Sequence, residues 1–244
     1  MEIFEEELTI PQFNRARKVR TILPESFDNS KEHDLLIMQD GQNLCSPKTP
    51  EKNWGIDRYI LIMELEGDIS NLIVVTVDHG DVKRATEYNP FMIPSEGRGK
   101  GREYAEFIVN NLVPLMKSRY KIKDRVGIGG SSMGGLISLY MGLKYGDLFD
   151  KMMIFSPSLW ISDRIFHQAI HYQPVKTPKI YLYGGGEESK LHLSNLNKLH
   201  DRLQNKNQSD VKIDVELSVS PEGKHDEFHW GREFPNALKW LYSK

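Results

Sequence analysis

The chain holds 244 residues, 39% of them hydrophobic and 27% charged, with a formal net charge of -2. That length suits a single α/β domain spanning residues 1–244, and the near-neutral charge leaves no basic footprint for nucleic acid. The one cysteine, Cys45, excludes an internal disulfide framework and suits a reducing compartment.

The N-terminal stretch Met1-Glu2-Ile3-Phe4-Glu5-Glu6-Glu7 is acidic and lacks the basic region and apolar core of a secretory signal. No apolar run approaches membrane-spanning length, so the expectation is a cytoplasmic protein with no membrane association. The first buried-strand pattern is Leu35 to Gln39, a short apolar run that leads into the loop Asp40-Gly41-Gln42-Asn43-Leu44. Leu72 to Val77 is the second such run. The stretches Cys45 to Asn53 and His79 to Gly101 are irregular and rich in Pro, Gly and charge. Loops of that kind at the carboxyl edge of a sheet usually build the ligand site. Tyr104, Phe107, Ile108, Leu112, Leu115 and Met116 recur with helical period and form one apolar stripe.

Val126 to Gly129 reads as a strand, and a helical pattern begins at Gly135-Leu136-Ile137. Between them stands Gly130-Ser131-Ser132-Met133-Gly134, the G-x-S-x-G spacing of a nucleophile elbow, in which side chains two residues either side of the serine would strike backbone. Only Ser132 has glycine on both sides at that spacing. Met152 to Phe155 and Ile180 to Tyr183 are further buried strands. The first is followed by Ser156-Pro157-Ser158-Leu159-Trp160, the second by Gly184-Gly185-Gly186-Glu187-Glu188. Val211, Ile213, Val215, Leu217 and Val219 alternate with polar residues, as a strand with one wet face near a sheet edge does. A loop, Pro221-Glu222-Gly223-Lys224-His225, leads to a closing helix whose stripe is Phe234, Leu238 and Leu241, with Pro235 placed near its start. Strand and helix alternate, which predicts a mostly parallel central sheet with helices on both faces.

A serine hydroxyl needs a base within hydrogen-bonding reach, and the base needs a group that fixes its tautomer. Ser132, then Glu187 or Glu188, then His225 supply these types in the order nucleophile, acid, histidine, each just after a strand. Two backbone N–H groups must meet the developing oxyanion. The candidates are Met133, directly after the nucleophile, and Gln42, in the loop after the first strand. Trp54, Tyr88, Phe91 and Trp160 lie in loops near this edge and are candidates for a wall that holds an acyl or aryl group, with core packing under the loops the alternative. Arg84 either grips an anionic substrate or pairs with Glu87. His79, His192 and His229 sit in no segment matching a catalytic role. His225 and His229 are four apart, but Asp226 rather than Glu follows the first, so no metal is expected. Cys45 has no dedicated base nearby and reads as a small buried hydrophobe. No cofactor is called for.

Several segments together resemble one family. They are Met38-Gln39-Asp40-Gly41-Gln42-Asn43-Leu44, Arg84 with Glu87-Tyr88-Asn89-Pro90, Gly130 through Leu136, Phe155 through Trp160, and Gly223-Lys224-His225-Asp226 with Trp230. The chain is similar to the putative-esterase family of α/β-hydrolases, which includes enterochelin esterases, feruloyl esterases and mycolyltransferases. The resemblance implies an α/β-hydrolase fold without a large lid. It also implies Ser132 as nucleophile, His225 as general base and then acid, and a Glu or Asp in a Gly-x-x spacing as third member. Glu187 and Glu188 both satisfy that spacing. Counting from Tyr181-Leu182 favours Glu188, with Glu187 the alternative. The implied activity is a serine carboxylesterase acting on a small acyl, aryl or siderophore-type ester. An acyltransferase with the same triad, or a binding protein on the same scaffold, are the rival readings.

Overall fold

A computed structural model describes residues 1–45, 52–93, 97–204 and 211–243. Residues 46–51 and 94–96 of the two irregular loops lie outside the described residues. The chain opens with β1 (Glu2–Ile10) and β2 (Arg15–Leu23), an antiparallel hairpin turned at Pro11 to Asn14. Asn14 takes φ 50 there, a left-handed geometry that asparagine tolerates. Next come β3 (Asp34–Gln39), α1 (Ile56–Leu65), β4 (Leu72–Val77), the single turn α2 (Arg84–Glu87) and the small pair β5 (Met92–Ile93) and β6 (Gly97–Arg98). The chain continues through α3 (Gly101–Phe107), a π turn (Ile108–Leu112), α4 (Val113–Arg119), β7 (Val126–Ser131), α5 (Met133–Lys144) and β8 (Phe149–Phe155). It ends with α6 (Arg164–His171), β9 (Lys179–Gly185), α7 (Lys190–Gln204), β10 (Asp214–Ser220) and α8 (Glu227–Tyr242).

Eight strands form one sheet in the order β1-β2-β4-β3-β7-β8-β9-β10. β2 runs antiparallel to both neighbours, and the other pairings are parallel. Period-2 alternation sorts the core onto two faces. Leu35 and Ile37 of β3 join the residues of α3 to α7, whereas Leu36 and Met38 face α1 and α8. Helices therefore cover both faces, as the alternating pattern predicts. Between β8 and β9 the connection holds only a 3-10 turn (Leu159–Ile161) and α6.

Four elements differ from the sequence reading. The β1–β2 hairpin is absent from it, because a largely exposed edge strand reading Glu-Glu-Glu carries almost no apolar alternation. The stripe from Tyr104 to Met116 is one helical path interrupted by the π turn. Pro114, in the first turn of α4, lacks the amide that would close a regular turn before it. Pro235 lies inside α8 and not near its start; the start signal is Asp226, whose carboxylate accepts the His229 N–H at 3.0 Å. β10 is an edge strand beginning at Asp214 rather than Val211. Its partner β9 begins just after Pro178, whose missing N–H ends the ladder, and the Pro178 carbonyl closes it by accepting the Asp214 N–H at 3.0 Å.

β3 is the topological switch point: the chain passes from it to β4 on one side and returns through β7 on the other. In open α/β sheets the crevice beyond the carboxyl ends at that point is where ligands bind. The loops after β3 and β7 carry Gln42 and Ser132.

Candidate active site

Ser132 stands between β7 and α5 at φ 55, ψ -121, a conformation a side-chain-bearing residue adopts only when its surroundings impose it. Its N–H donates to the Phe155 carbonyl at 3.0 Å, and its own carbonyl accepts from Leu136 and Ser158, each at 3.0 Å. The two glycines make room for the turn. A methyl on Gly130 would come within 2.9 Å of the Gly134 backbone, and one on Gly134 within 2.6 Å of Asp40 Oδ2. The hydroxyl is partly exposed, with Ser158 Oγ at 3.4 Å.

Two strands along the edge, Glu188 and His225 form a pair, with His225 Nδ1 at 2.7 Å from Glu188 Oε2. A carboxylate only accepts, so Nδ1 carries the proton and Nε2 is left as the basic nitrogen. Glu188 is 2% exposed, and its other oxygen accepts from Ser156 Oγ at 2.6 Å and the Gly185 N–H at 2.8 Å. Ser156 is in turn fixed by Trp230 Nε1, which donates to its hydroxyl at 3.0 Å. Burial alone would raise the Glu188 carboxyl, but the bonds from His225, Ser156 and Gly185 outweigh it and hold it below the ordinary range. Glu187, 51% exposed, turns outward to Lys224 at 3.4 Å. The glycine run explains how the two loops meet. A methyl on Gly185 would come within 2.2 Å of the Gly223 carbonyl, so the acid loop and the histidine loop abut through bare backbone. His225 is itself 44% exposed and rests edge-on against Trp230, with ring centroids 4.9 Å apart.

Gln42 lies in a 3-10 turn (Gly41–Asn43) that follows Asp40 at φ 60. Three contacts pin this turn. Arg84 donates from two nitrogens to the two Asp40 oxygens at 2.6 and 2.8 Å, Gln42 Oε1 accepts the His79 N–H at 3.1 Å, and Asn43 Nδ2 donates to Glu227 at 3.2 Å. Met133 is the first residue of α5, so its N–H is one of the amides a helix N-terminus leaves without an intrahelical partner. Those amides and the helix dipole favour negative charge at this spot.

Of the four candidate wall residues only Trp160 is open, at 68% exposure. It lines a cavity of about 260 Å³ together with Leu159, Leu191, His192 and His225. Trp54 is buried and stacks on Phe155 with centroids 5.2 Å apart, and Tyr88 is wholly enclosed beside Tyr104. Neither presents surface to a substrate; both fill the core beneath the loops. Arg84 pairs with Asp40, and Glu87 with Arg17 at 2.6 Å. The arginine is thus committed to the loop after β3.

His225 and His229 are bound to different carboxylates, Glu188 and Asp226. Burial first, and Asp57 after it, push the Cys45 thiol up to about 12, which leaves negligible thiolate near neutral pH. Sequence reasoning did not find the roles of Ser156 and Trp230 in holding Glu188. Both residues stand in segments that carry the family resemblance, but nothing in their spacing says that they touch each other.

A sequence profile described as Putative esterase matches residues 10–241. The chain belongs to that family. Uncharacterized protein YbbA of Bacillus subtilis (strain 168) is 28% identical over 179 residues, covering 66% of this chain and 70% of its own. Among solved structures, the BES protein of Bacillus cereus aligns with a TM-score of 0.80 at 14% identity, over 99% of this chain and 95% of that one. The enterobactin esterase FES of Shigella flexneri aligns with a TM-score of 0.78 at 17% identity, over 99% of this chain and 59% of that one. The fold is that of the α/β-hydrolases, and family membership supports a hydrolase acting on small-molecule esters.

Proposed function

We propose that the protein is a serine carboxylesterase in which Ser132, His225 and Glu188 act as nucleophile, base and orienting acid. The observation that carries this reading is the strained Ser132 at the switch point, set on the same sheet edge as a histidine whose tautomer is fixed by a fully engaged carboxylate. His225 Nε2 removes the Ser132 proton as Oγ attacks the ester carbonyl, and Glu188 steadies the imidazolium that forms. The N–H groups of Met133 and Gln42 receive the oxyanion. Collapse of the tetrahedral intermediate breaks the bond to the alcohol oxygen, which takes the proton from His225. Water, activated by the same Nε2, then releases the acid and restores Ser132.

The substrate class we assign is a small acyl, aryl or siderophore-type ester. Exposed Trp160, facing a cavity that His225 also lines, offers a flat apolar surface of the sort aromatic groups stack on. The likeness to a protein named as an enterobactin esterase points the same way. The test is hydrolysis of a panel of aryl and short-chain esters by wild type and Ser132→Ala. The variant should lose roughly a thousand-fold or more, and a fluorophosphonate should label only the wild type. Full activity in Ser132→Ala, or equal labelling of the two, would sink the proposal.

A further inference from the structure

We propose that His192 is a positioning residue of this site: a second imidazole set against the Glu188 carboxylate, which tempers that carboxylate's hold on His225 and so sets the pH at which His225 becomes a competent base. The proposal rests on the esterase reading.

His192 lies in the first turn of α7, four residues after Glu188, and its N–H is tied to Ser189, to the carbonyl at 2.9 Å and to Oγ at 3.2 Å. That anchoring leaves Nε2 at 3.3 Å from Glu188 Oε2, the oxygen that His225 Nδ1 holds at 2.7 Å. The two imidazoles meet edge to face with centroids 5.9 Å apart. His192 Nε2 is buried and has no aligned hydrogen-bond partner among the described residues. A buried nitrogen in that condition costs free energy that an apolar side chain would not. What it gains is the field of the carboxylate.

Two imidazoles therefore share one oxygen. Burial holds His192 below its ordinary range, with Glu188 opposing and His225 adding to the effect, which favours the neutral ring. A neutral ring whose Nε2 edge lies 3.3 Å from Oε2 sets its dipole against that oxygen and so tempers the charge that would otherwise stabilise the His225 imidazolium. Among the described residues, Glu188 and His225 are the titratable side chains that line the Trp160 cavity with His192. β9 presents Gly184, which carries no side chain toward Nε2, and the turn before α6 presents Leu159 and Trp160. Further along α7, Lys198 is held by Asp163 at 3.2 Å. On β10, Asp214 is held by Lys212 at 2.8 Å and Glu216 faces solvent.

The experiment compares the pH dependence of kcat/KM in wild type, His192→Leu, His192→Phe and His192→Gln, together with an NMR titration of the His225 ring, which needs no substrate. Without that dipole against Oε2, Glu188 grips the His225 imidazolium harder. The acidic limb and the His225 titration should then move up by roughly half to one pH unit in the Leu and Phe variants. The height of the alkaline plateau carries no weight, because His192 lines the cavity assigned to the substrate; the position of the limb and the His225 ring titration decide. The Gln variant, which keeps an N–H donor, should stay near the wild-type limb. A limb and titration unmoved in whichever apolar variant folds would overturn the proposal, as would a Gln variant that moves as far as the apolar ones. If instead Ser132→Ala proved active, the esterase reading would fall, and the NMR titration would still decide the role of His192.

Discussion

At the scale of single residues the choice between Glu187 and Glu188 turns on what each carboxylate oxygen is already doing. Glu188 has both oxygens engaged and is buried, so it cannot swing away from His225, whereas Glu187 next to it faces solvent. Glu188→Ala should lower kcat by roughly a hundred- to ten-thousand-fold, the range expected when a triad histidine loses its orienting acid. Glu187→Ala should leave kcat within about twofold, as a surface pair does little. A steady-state comparison of the two variants checks both. Ser156→Ala strands Trp230 Nε1 in the interior and leaves one oxygen of Glu188 with the Gly185 N–H alone. Its thermal melt should show a loss of about 1–3 kcal/mol. Ser132, His225 and the choice between two glutamates were legible because elbow sterics and chain order restrict residue types. The choice between neighbours was not, since adjacent side chains in a loop differ only in which way the backbone turns them. Trp54 and Tyr88 look like wall residues for the same reason: a loop aromatic over a core and one over a cavity have the same sequence.

Among elements, the loop after β3 owes its shape to α2. Asp40 sits in left-handed backbone with its carboxylate 7% exposed against α5, and Arg84 neutralises it through two hydrogen bonds. Arg84→Gln should destabilise the protein by about 3 kcal/mol, because a partly desolvated charge loses its counterion. It should also lower kcat more than it raises KM, since the oxyanion role proposed for the Gln42 amide acts on the transition state and not on the ground-state ester. An ester series at saturating substrate, together with denaturant melts, separates the two effects. A rise in KM alone would assign Arg84 to substrate binding. The buried parallel strands could be read from sequence because both of their faces are packed, leaving uninterrupted apolar runs. The β1–β2 hairpin and the π turn could not. The first is specified by pairing with β4 more than by its own hydrophobicity, and the second by one proline acting on the turn before it.

Across the whole molecule the proposed triad is spread over three loops, from β7, β9 and β10, and the acid loop and the α8 cap respond to pH together. Glu188 and Asp226 are both held below their ordinary values of 4.5 and 3.8. For each, burial acts the other way and hydrogen bonds prevail, from His225 and Ser156 at Glu188 and from the His229 N–H at Asp226. Groups with depressed folded values bind fewer protons in the folded chain than in the unfolded one at acid pH. The stability they contribute is therefore complete above the ordinary values and is lost as pH falls through the folded ones. Melting temperature should hold steady from neutral pH down to about pH 5 and then fall steeply on further acidification. In Glu188→Gln, which cannot titrate, the neutral-pH protein should be less stable and the fall shallower, so that the two curves converge at low pH. Parallel curves would mean that the Glu188 carboxyl contributes nothing to the folded state beyond its packing. Circular dichroism melts of wild type and Glu188→Gln across the pH range decide between the two outcomes.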